Sequence, residues 1–522
     1  MDEIGFLDRF LADALLKKAG VASIDAAVAL PRLFQEARRG HLCMKKDQLG
    51  QEILSLPSSI LGEGSSLFPK TPIVVDEDRY YLQKNWVYET YILQHIMRLV
   101  KGSSPFFFDK EAFEKHISLV SGKLTDGQMR AMRQVLKQPM TVICGGPGTG
   151  KTYTAAYLVN LLFRSLKKRE KEHLHVHVAA PTGKAASHLQ CALQMQGCID
   201  EKLHIEASTL HKLLKLQPGA SRLFMRKGKI DADLIIVDEA SMIDVSLFAH
   251  LLEAIGDDTL LILIGDPHQL PPVDACSLFA EISQLFGVFL DRCMRTEDIF
   301  LQKFAQAVKQ GDQEDVFKLM PAWNESISVD TFYEKIDPIF YHGFPDPKAC
   351  FQTYGKFRIL NPIRKGPNGT NALNARIFQD LQKNGKWWSA PIIAIANDAF
   401  SEIYNGMSGI LIGQKNHIEA AYFPDARSAE MRRFSAPPPY ELSFCMSIHK
   451  AQGSEFEEVL ALFPEGSENF GREALYTAVT RAKKRVEIRG QKEVLEKMIA
   501  ATSNRMSGLS RRIRAKNWPP PE

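Results

Sequence analysis

Apolar residues along this chain follow two rhythms, and the changes from one to the other outline its domains. Near the start, Ile4, Leu7, Leu11, Ala14 and Leu15 recur at helical spacing with charges between them, the pattern of an amphipathic helix. Ile73-Val74-Val75 and Tyr80-Tyr81-Leu82 flank the polar run Asp76 to Arg79 and read as a hairpin. Residues 1–115 thus predict a small, mostly helical domain without a catalytic motif, suited to docking a partner. From about 120 to 310, short apolar strands alternate with helical stretches: Thr141 to Cys144, Val176 to Ala180, Leu234 to Val237 and Leu260 to Ile264. Such alternation predicts a parallel sheet covered by helices on both faces. A second alternating region runs from about 355 to 500. Between about 388 and 440 it is interrupted by Ile392 to Ala396, Gly409 to Ile412 and Ile418 to Tyr422, a small β insertion closed by Pro437-Pro438-Pro439. The expected fold is α/β, with a first lobe over 116–310 and a second over 311–522 that carries the insertion.

The 522 residues suffice for about three domains, each with its own core. A 45% hydrophobic and 24% charged composition is ordinary for a globular protein. The net charge of +4 is too mild to identify a nucleic-acid partner, although Arg164 to Lys171, Arg222 to Lys229 and Arg505 to Lys516 are locally basic. Met1-Asp2-Glu3-Ile4 lacks the layout of a signal peptide, and no apolar run approaches the ~20 residues that span a bilayer. Eight cysteines without a C-x-x-C pair argue against zinc ribbons and disulfide frameworks and suit a reducing cytoplasm. His173, His175 and His177 alternate with apolar residues and share one strand face, but no further ligand pattern accompanies them.

The chemistry begins at Gly145-Gly146-Pro147-Gly148-Thr149-Gly150-Lys151-Thr152, which fits G-x-x-x-x-G-K-[ST] between an apolar strand and a helical stretch. Glycines let backbone N–H groups crowd around phosphate oxygens, and the following helix N-terminus adds a positive dipole end. Lys151 can reach the β- and γ-phosphates of ATP, and the Thr152 hydroxyl can ligate Mg²⁺. Downstream, the apolar run Leu234 to Val237 ends in Asp238-Glu239. Asp238 is placed to hold Mg²⁺, and Glu239 to orient or deprotonate the attacking water. Gln269, after the run Leu261 to Ile264, can sense the γ-phosphate, while Arg295 and Arg481 are candidates to offset transition-state charge. If Arg481 lies on the second lobe, ATP sits between the lobes and its hydrolysis moves them.

Together these motifs resemble the superfamily-one DNA helicases and, within them, the RecD family. The resemblance runs in order through Gln128 in Leu124 to Gln128, GGPGTGKT (145–152), APTGKAA (180–186) and STLHKLL (208–214). It continues through VDEASMID (237–244), GDPHQLPPV (265–273), SIHKAQGSEF (447–456) and LYTAVTRAKKRV (475–486). Gly40 to Cys43, Asp78 to Leu82 with Trp86, Arg364 to Gly369 and Arg505 to Leu509 are also RecD-like. The resemblance implies two tandem RecA-like P-loop NTPase lobes and an ATP-dependent, 5′-to-3′ DNA helicase subunit of an exodeoxyribonuclease V (RecBCD) complex acting at double-strand ends. RecB-like and RecC-like partners, with no membrane, are implied as well.

By position, Gln128 would contact adenine, Gly145 to Thr152 the phosphates, and Gly453 and Glu455 the nucleotide from the second lobe. Pro181, Thr182, Gly183, Lys184, Thr209, His211, His449, Lys450 and Gln452 would contact DNA. Their hydroxyls, backbone N–H groups, imidazoles and lysines suit sequence-independent phosphate contact, although His211 and His449 also read as structural histidines. The chain departs from the family at Ser389-Ala390-Pro391, Ala396-Asn397-Asp398, Met407 and Cys276, none of which touches the ATP residues. The basic stretch 222–229 reads equally as a hairpin at the duplex fork or as plain surface, and no nuclease carboxylate cluster is evident. A solitary helicase and a non-catalytic ATP-binding scaffold are the competing readings. The intact water-activating carboxylate and arginines argue against the scaffold.

Overall fold

The computed structural model describes residues 4–21, 24–49, 56–64, 66–103, 108–167, 172–195, 202–216, 228–272, 276–290, 299–329, 333, 340–341, 343–383, 386–396, 398, 401–425, 428, 430–502 and 505–515. The N-terminal region combines helices with a four-stranded sheet: β1 (Cys43–Lys45), β2 (Leu61–Glu63), β3 (Ile73–Asp76) and β4 (Arg79–Leu82), in the order β1-β4-β3-β2. The antiparallel β3–β4 pair turns through Glu77, which adopts φ 50°. The first helix, Phe6–Ala19, buries Asp8, Ala12 and Leu16. Leu7 and Leu11, part of the apolar stripe in the sequence, are instead 53% and 40% exposed. Asp8 turns inward because the Arg38 guanidinium meets its carboxylate from the neighbouring helix. Periodicity located the helix, but an inward aspartate met by a half-exposed arginine set its rotation.

The first lobe is a parallel sheet of β5 (Met140–Cys144), β6 (Leu174–Ala180), β7 (Leu203–Thr209), β8 (Leu234–Val237), β9 (Leu260–Gly265) and β10 (Gly287–Phe289). Every residue of β5, β8 and β9 is buried, as expected of central strands packed by helices on both faces. The order β10-β5-β9-β8-β6-β7 sets the ends of β5, β9 and β8 side by side, where open α/β sheets gather ligands. Strand β7 was not legible as a strand, because Leu203 to Thr209 alternates with polar residues at a sheet edge. The helix Gln83–Lys101 buries Ile92, Leu93, Ile96 and Leu99 in the same core as Val142, Phe248 and Leu252 of this lobe.

The second lobe and its insertion contribute β11 (Trp323–Asn324), β12 (Phe340–Tyr341), β13 (Phe357–Asn361), β14 (Trp387–Ala394), β15 (Ser408–Gln414) and β16 (His417–Pro424). They continue with β17 (Met431–Phe434), β18 (Tyr440–Leu442), β19 (Cys445–Ser447), β20 (Phe456–Leu462) and β21 (Ala482–Arg489). A parallel sheet ordered β11-β21-β20-β13-β19 forms the lobe, and β12, β14 to β17 and β18 form the antiparallel insertion. The fold is thus two tandem RecA-like lobes with an N-terminal region and a β insertion. Ala390, one of the departures from the family, is fully buried in β14, and Cys276 is buried beside the first lobe's core.

Candidate functional site

Strand β5 runs into the glycine loop, and the helix Lys151–Arg164 starts from Gly150, whose φ of 82° suits a residue without Cβ. The Lys151 ammonium arches back over the loop and donates to the carbonyls of Gly145 and Gly146 at 2.7 and 2.8 Å. Thr149 Oγ1 donates to the Gly146 carbonyl at 2.9 Å and tightens the turn. Gln128 is buried at the start of the helix Asp126–Gln134, where its side-chain oxygen accepts from the Thr125 N–H in a capping box. A Cβ on Gly150 would lie 2.9 Å from Gln128 Nε2, so Gln128 stands at the edge of the phosphate loop.

Two strands away, β8 delivers Asp238 and Glu239. Asp238 accepts a hydrogen bond from the Glu239 N–H at 2.8 Å, and Glu239 adopts φ 52°. Both carboxylates keep a narrow face to solvent but are enclosed by protein on most sides. Burial raises the pKa of Asp238, opposed by the Glu239 N–H and the Lys151 charge. Burial and then Asp238 raise that of Glu239, opposed by Arg481 and Lys151. Between β5 and β8, β9 ends at Asp266, followed by Gln269. Gln269 is 5% exposed; its amide nitrogen reaches Asp266 at 3.4 Å, and its carbonyl oxygen has no protein partner.

The second lobe closes the far side. Tyr476, on the helix Gly471–Val479, donates its hydroxyl to Asp266 Oδ2 at 2.9 Å. A Cβ on Gly146 would meet the same hydroxyl at 3.1 Å. Arg481 is 3% exposed and donates to the Ser454 carbonyl at 3.2 Å. Burial lowers its pKa, with Glu239 and then Asp266 acting against the shift. Gly453 faces Glu239, a Cβ there lying 3.8 Å from Glu239 Oε1, and Glu455 pairs with Lys483 at 3.4 Å. A cavity of about 980 Å³ opens along this seam, lined by Gly145, Pro147, Asp266, Glu455, Tyr476 and Lys483 among others. Beside that cavity, Asp238 and Glu239 lie within reach of the Lys151 and Arg481 charges, and Gln269 stands next to Asp266, which Arg481 also feels. Arg295 lies outside the described residues, as does most of the basic stretch 222–229.

The candidate DNA residues fall on the same rims of the two sheets. Pro181, Thr182 and Gly183 follow β6, Thr209 caps the short helix after β7 by accepting from Lys212 N–H at 3.3 Å, and His211 is exposed. Lys184 crosses to the second lobe and donates to Ser454 Oγ at 2.9 Å. After β19, His449 Nε2 lies 3.2 Å from the Pro271 carbonyl, and Gln452 Nε2 donates to that of Leu270 at 2.6 Å. The Leu270 N–H donates in turn to Thr477 Oγ1 at 2.8 Å. Two of these residues thus hold the loop after Gln269 rather than facing solvent, while Lys450 pairs with Glu441. Sequence reasoning assigned no role to Asp266, Tyr476 or Thr477. Each lay inside a quoted motif, but their pairing across two lobes has no signature in spacing. His175 and His173 stack near His204, and no metal-binding cluster of histidine, cysteine, aspartate or glutamate occurs among the described residues.

The chain is similar in sequence to several known proteins. The AAA domain family matches residues 123–325, and the UvrD-like helicase C-terminal domain family matches 442–488. The RecBCD enzyme subunit RecD of Mycolicibacterium smegmatis is 31% identical, over 94% of this chain and 94% of that protein. The ATP-dependent RecD2 DNA helicase of Deinococcus radiodurans is 27% identical over 75% of this chain and 53% of that protein. A crystal structure of Bacteroides Pif1 bound to single-stranded DNA aligns with TM-score 0.45 and 16% identity, covering 76% of this chain and 97% of that one. Similarity that runs through nearly the whole length of both sequences has one consequence: this chain belongs to the family of RecD subunits of RecBCD enzymes.

Proposed function

We propose that the chain is the ATP-dependent DNA helicase subunit of a RecBCD-type complex, working with RecB-like and RecC-like subunits at double-strand DNA ends in the cytoplasm. The observation that carries this reading is the meeting of the lobes around Glu239, which feels the charges of Lys151 from its own lobe and Arg481 from the other, with Gly453 of the second lobe against its carboxylate. No helix among the described residues is long and apolar enough to cross a membrane.

ATP would lie with its base toward Gln128 and its phosphates over Gly145 to Thr152, where loop N–H groups and Lys151 take up negative charge. The Thr152 hydroxyl and the Asp238 carboxylate are hard oxygen donors that fit Mg²⁺, and they would hold it beside the phosphates. When bound, that cation would supply positive charge to offset the phosphates. Glu239, whose raised pKa makes it a stronger base than an ordinary carboxylate, accepts the proton of the attacking water. Arg481 stabilises charge on the transferred group from the second lobe.

Gln269 couples this chemistry to movement. Its free side-chain oxygen can read the γ-phosphate or the water, and the loop that follows is gripped by Thr477, His449 and Gln452 of the second lobe. Loss of the γ-phosphate thereby changes how the lobes sit against each other, and the rims that grip single-stranded DNA change spacing. Translocation from 5′ toward 3′ is the polarity proposed. A Lys151→Gln variant keeps DNA binding and loses ATP hydrolysis. DNA-stimulated ATPase equal to wild type in that variant would refute the assignment.

A further inference from the structure

Two RecD-like stretches at opposite ends of the sequence, Gly40 to Cys43 and Arg505 to Leu509, have no part in nucleotide chemistry, and the structure interlocks them. The Met506 N–H donates to His41 Nδ1 at 2.9 Å, and the Leu42 N–H donates to the Met506 carbonyl at 2.9 Å. Burial lowers the His41 pKa, so the ring is the neutral form able to accept that bond. Arg79 donates to the Ser507 carbonyl at 3.0 Å. The Gly508 N–H donates to the fully buried Glu89 at 2.8 Å, and Arg512 adds an ion pair to Glu89 at 3.1 Å while stacking 4.1 Å from the Trp86 ring centre. Ser507 and the Ser510 N–H both bond Glu281, on the first lobe's helix Phe279–Phe286. Residues 505–515 thus form a latch seated on the N-terminal region and the first lobe together.

The latch reaches the nucleotide machinery at one point. Gly40 adopts φ 95°, and a Cβ there would lie 2.7 Å from Arg505 Nε, so the turn leaves a slot that only glycine provides. Through that slot Arg505 donates to the Pro272 carbonyl at 2.7 Å. Pro272 ends the described part of the loop that begins at Asp266 and carries Gln269. One part of this loop is held by the second lobe, through Thr477, His449 and Gln452. The next residue, Pro272, is held by Arg505 from a base that belongs to the first lobe and the N-terminal region.

We propose that Arg505 is a positioning residue for the ATPase cycle: it fixes the loop after Gln269 at Pro272, so that a shift of the second lobe turns Gln269 rather than dragging the whole loop. This role rests on the helicase reading of the crevice. Without the anchor, the loop would follow the second lobe and Gln269 would lose its register against the phosphates.

The test compares Arg505→Ala, Arg505→Lys and Arg511→Ala in the full chain. Arg511 pairs with Asp76 and Glu77 in the same latch and does not touch the loop, so it controls for general loosening. In Arg505→Ala, DNA-stimulated kcat should fall about tenfold, the scale of one lost charge-assisted hydrogen bond, with KM for ATP within about twofold. Arg505→Lys, which keeps one donor, should recover part of kcat, and Arg511→Ala should keep it within about twofold of wild type. Amide exchange over residues 266–272 should quicken in Arg505→Ala alone. Unchanged kcat and exchange in folded Arg505→Ala, or equal losses in both alanine variants, would overturn the proposal. If wild type itself shows no DNA-stimulated ATPase, the helicase reading falls, while the exchange data still decide whether Arg505 anchors the loop.

Discussion

The contact between Tyr476 and Asp266 joins the second lobe to the strand end beside the phosphate loop, and Tyr476→Phe isolates it. The substitution removes one oxygen from a buried ring and leaves its packing in place. What is lost is a hydrogen bond to a carboxylate, 2.9 Å long, in a site enclosed by protein. Bonds of this kind contribute about 1.5–3 kcal/mol, which corresponds to about tenfold to a hundredfold in an equilibrium. Two features favour the lower end. Asp266 keeps the His268 N–H at 3.0 Å on its other oxygen, and the Gln269 amide, already 3.4 Å away, can move in. The expected result is a kcat/KM for ATP lower by about tenfold, since the bond joins the two lobes that together face the nucleotide. Steady-state ATPase at saturating single-stranded DNA measures it, with near-ultraviolet circular dichroism to show intact packing. A folded Tyr476→Phe protein with kcat/KM within about twofold of wild type would show that this bond does not hold the lobes together.

Two further outcomes follow from the buried charges. Glu239→Gln should retain ATP binding, measured with a fluorescent nucleotide, and lose at least about a hundredfold in kcat. Its parent should lose kcat/KM for ATP on the acid side with a midpoint above the ordinary carboxylate value of about 4.3, because burial and then Asp238 raise the Glu239 pKa in the nucleotide-free protein, and that limb should vanish in the glutamine variant. Arg512→Ala leaves Glu89 charged and buried, so stability should drop by roughly 3–5 kcal/mol in urea unfolding followed by tryptophan fluorescence. Burial raises the folded pKa of Glu89 and Arg512 opposes that rise, so without Arg512 the folded variant binds a proton more tightly than wild type and the deficit should shrink as pH falls from ~7 toward ~5. A deficit that grows on acidification would contradict this account.

The crevice was largely legible in the sequence because its parts sit at strand ends, where an apolar run stops at a short polar motif. The Met140–Cys144 strand with its glycine loop, the Leu234–Val237 strand with Asp238-Glu239, and the Leu260–Gly265 strand all announce themselves this way. What escaped has a common physical origin in partners far apart along the chain. Tyr476 and Asp266 are 210 residues apart, and a hydroxyl meeting a carboxylate leaves no periodic trace. His449 and Gln452 sit in a motif that suggested strand contact, yet their side chains point at backbone carbonyls of the first lobe. The edge strand Leu203–Thr209 is hidden by its own polar alternation, and the rotation of the Phe6–Ala19 helix by an aspartate that only Arg38 makes tolerable inside.

The latch also sets an order of assembly. His41 and Met506 are 465 residues apart, so the ribosome must thread both lobes before the N-terminal region receives its cover. Throughout that interval Trp86 lacks its stacking guanidinium and the Glu89 carboxylate lacks its cation. A nascent chain halted before Arg512 would display both to the cell's chaperones and proteases. Synthesis of the 505–515 segment, rather than any local folding step, is what seals this surface.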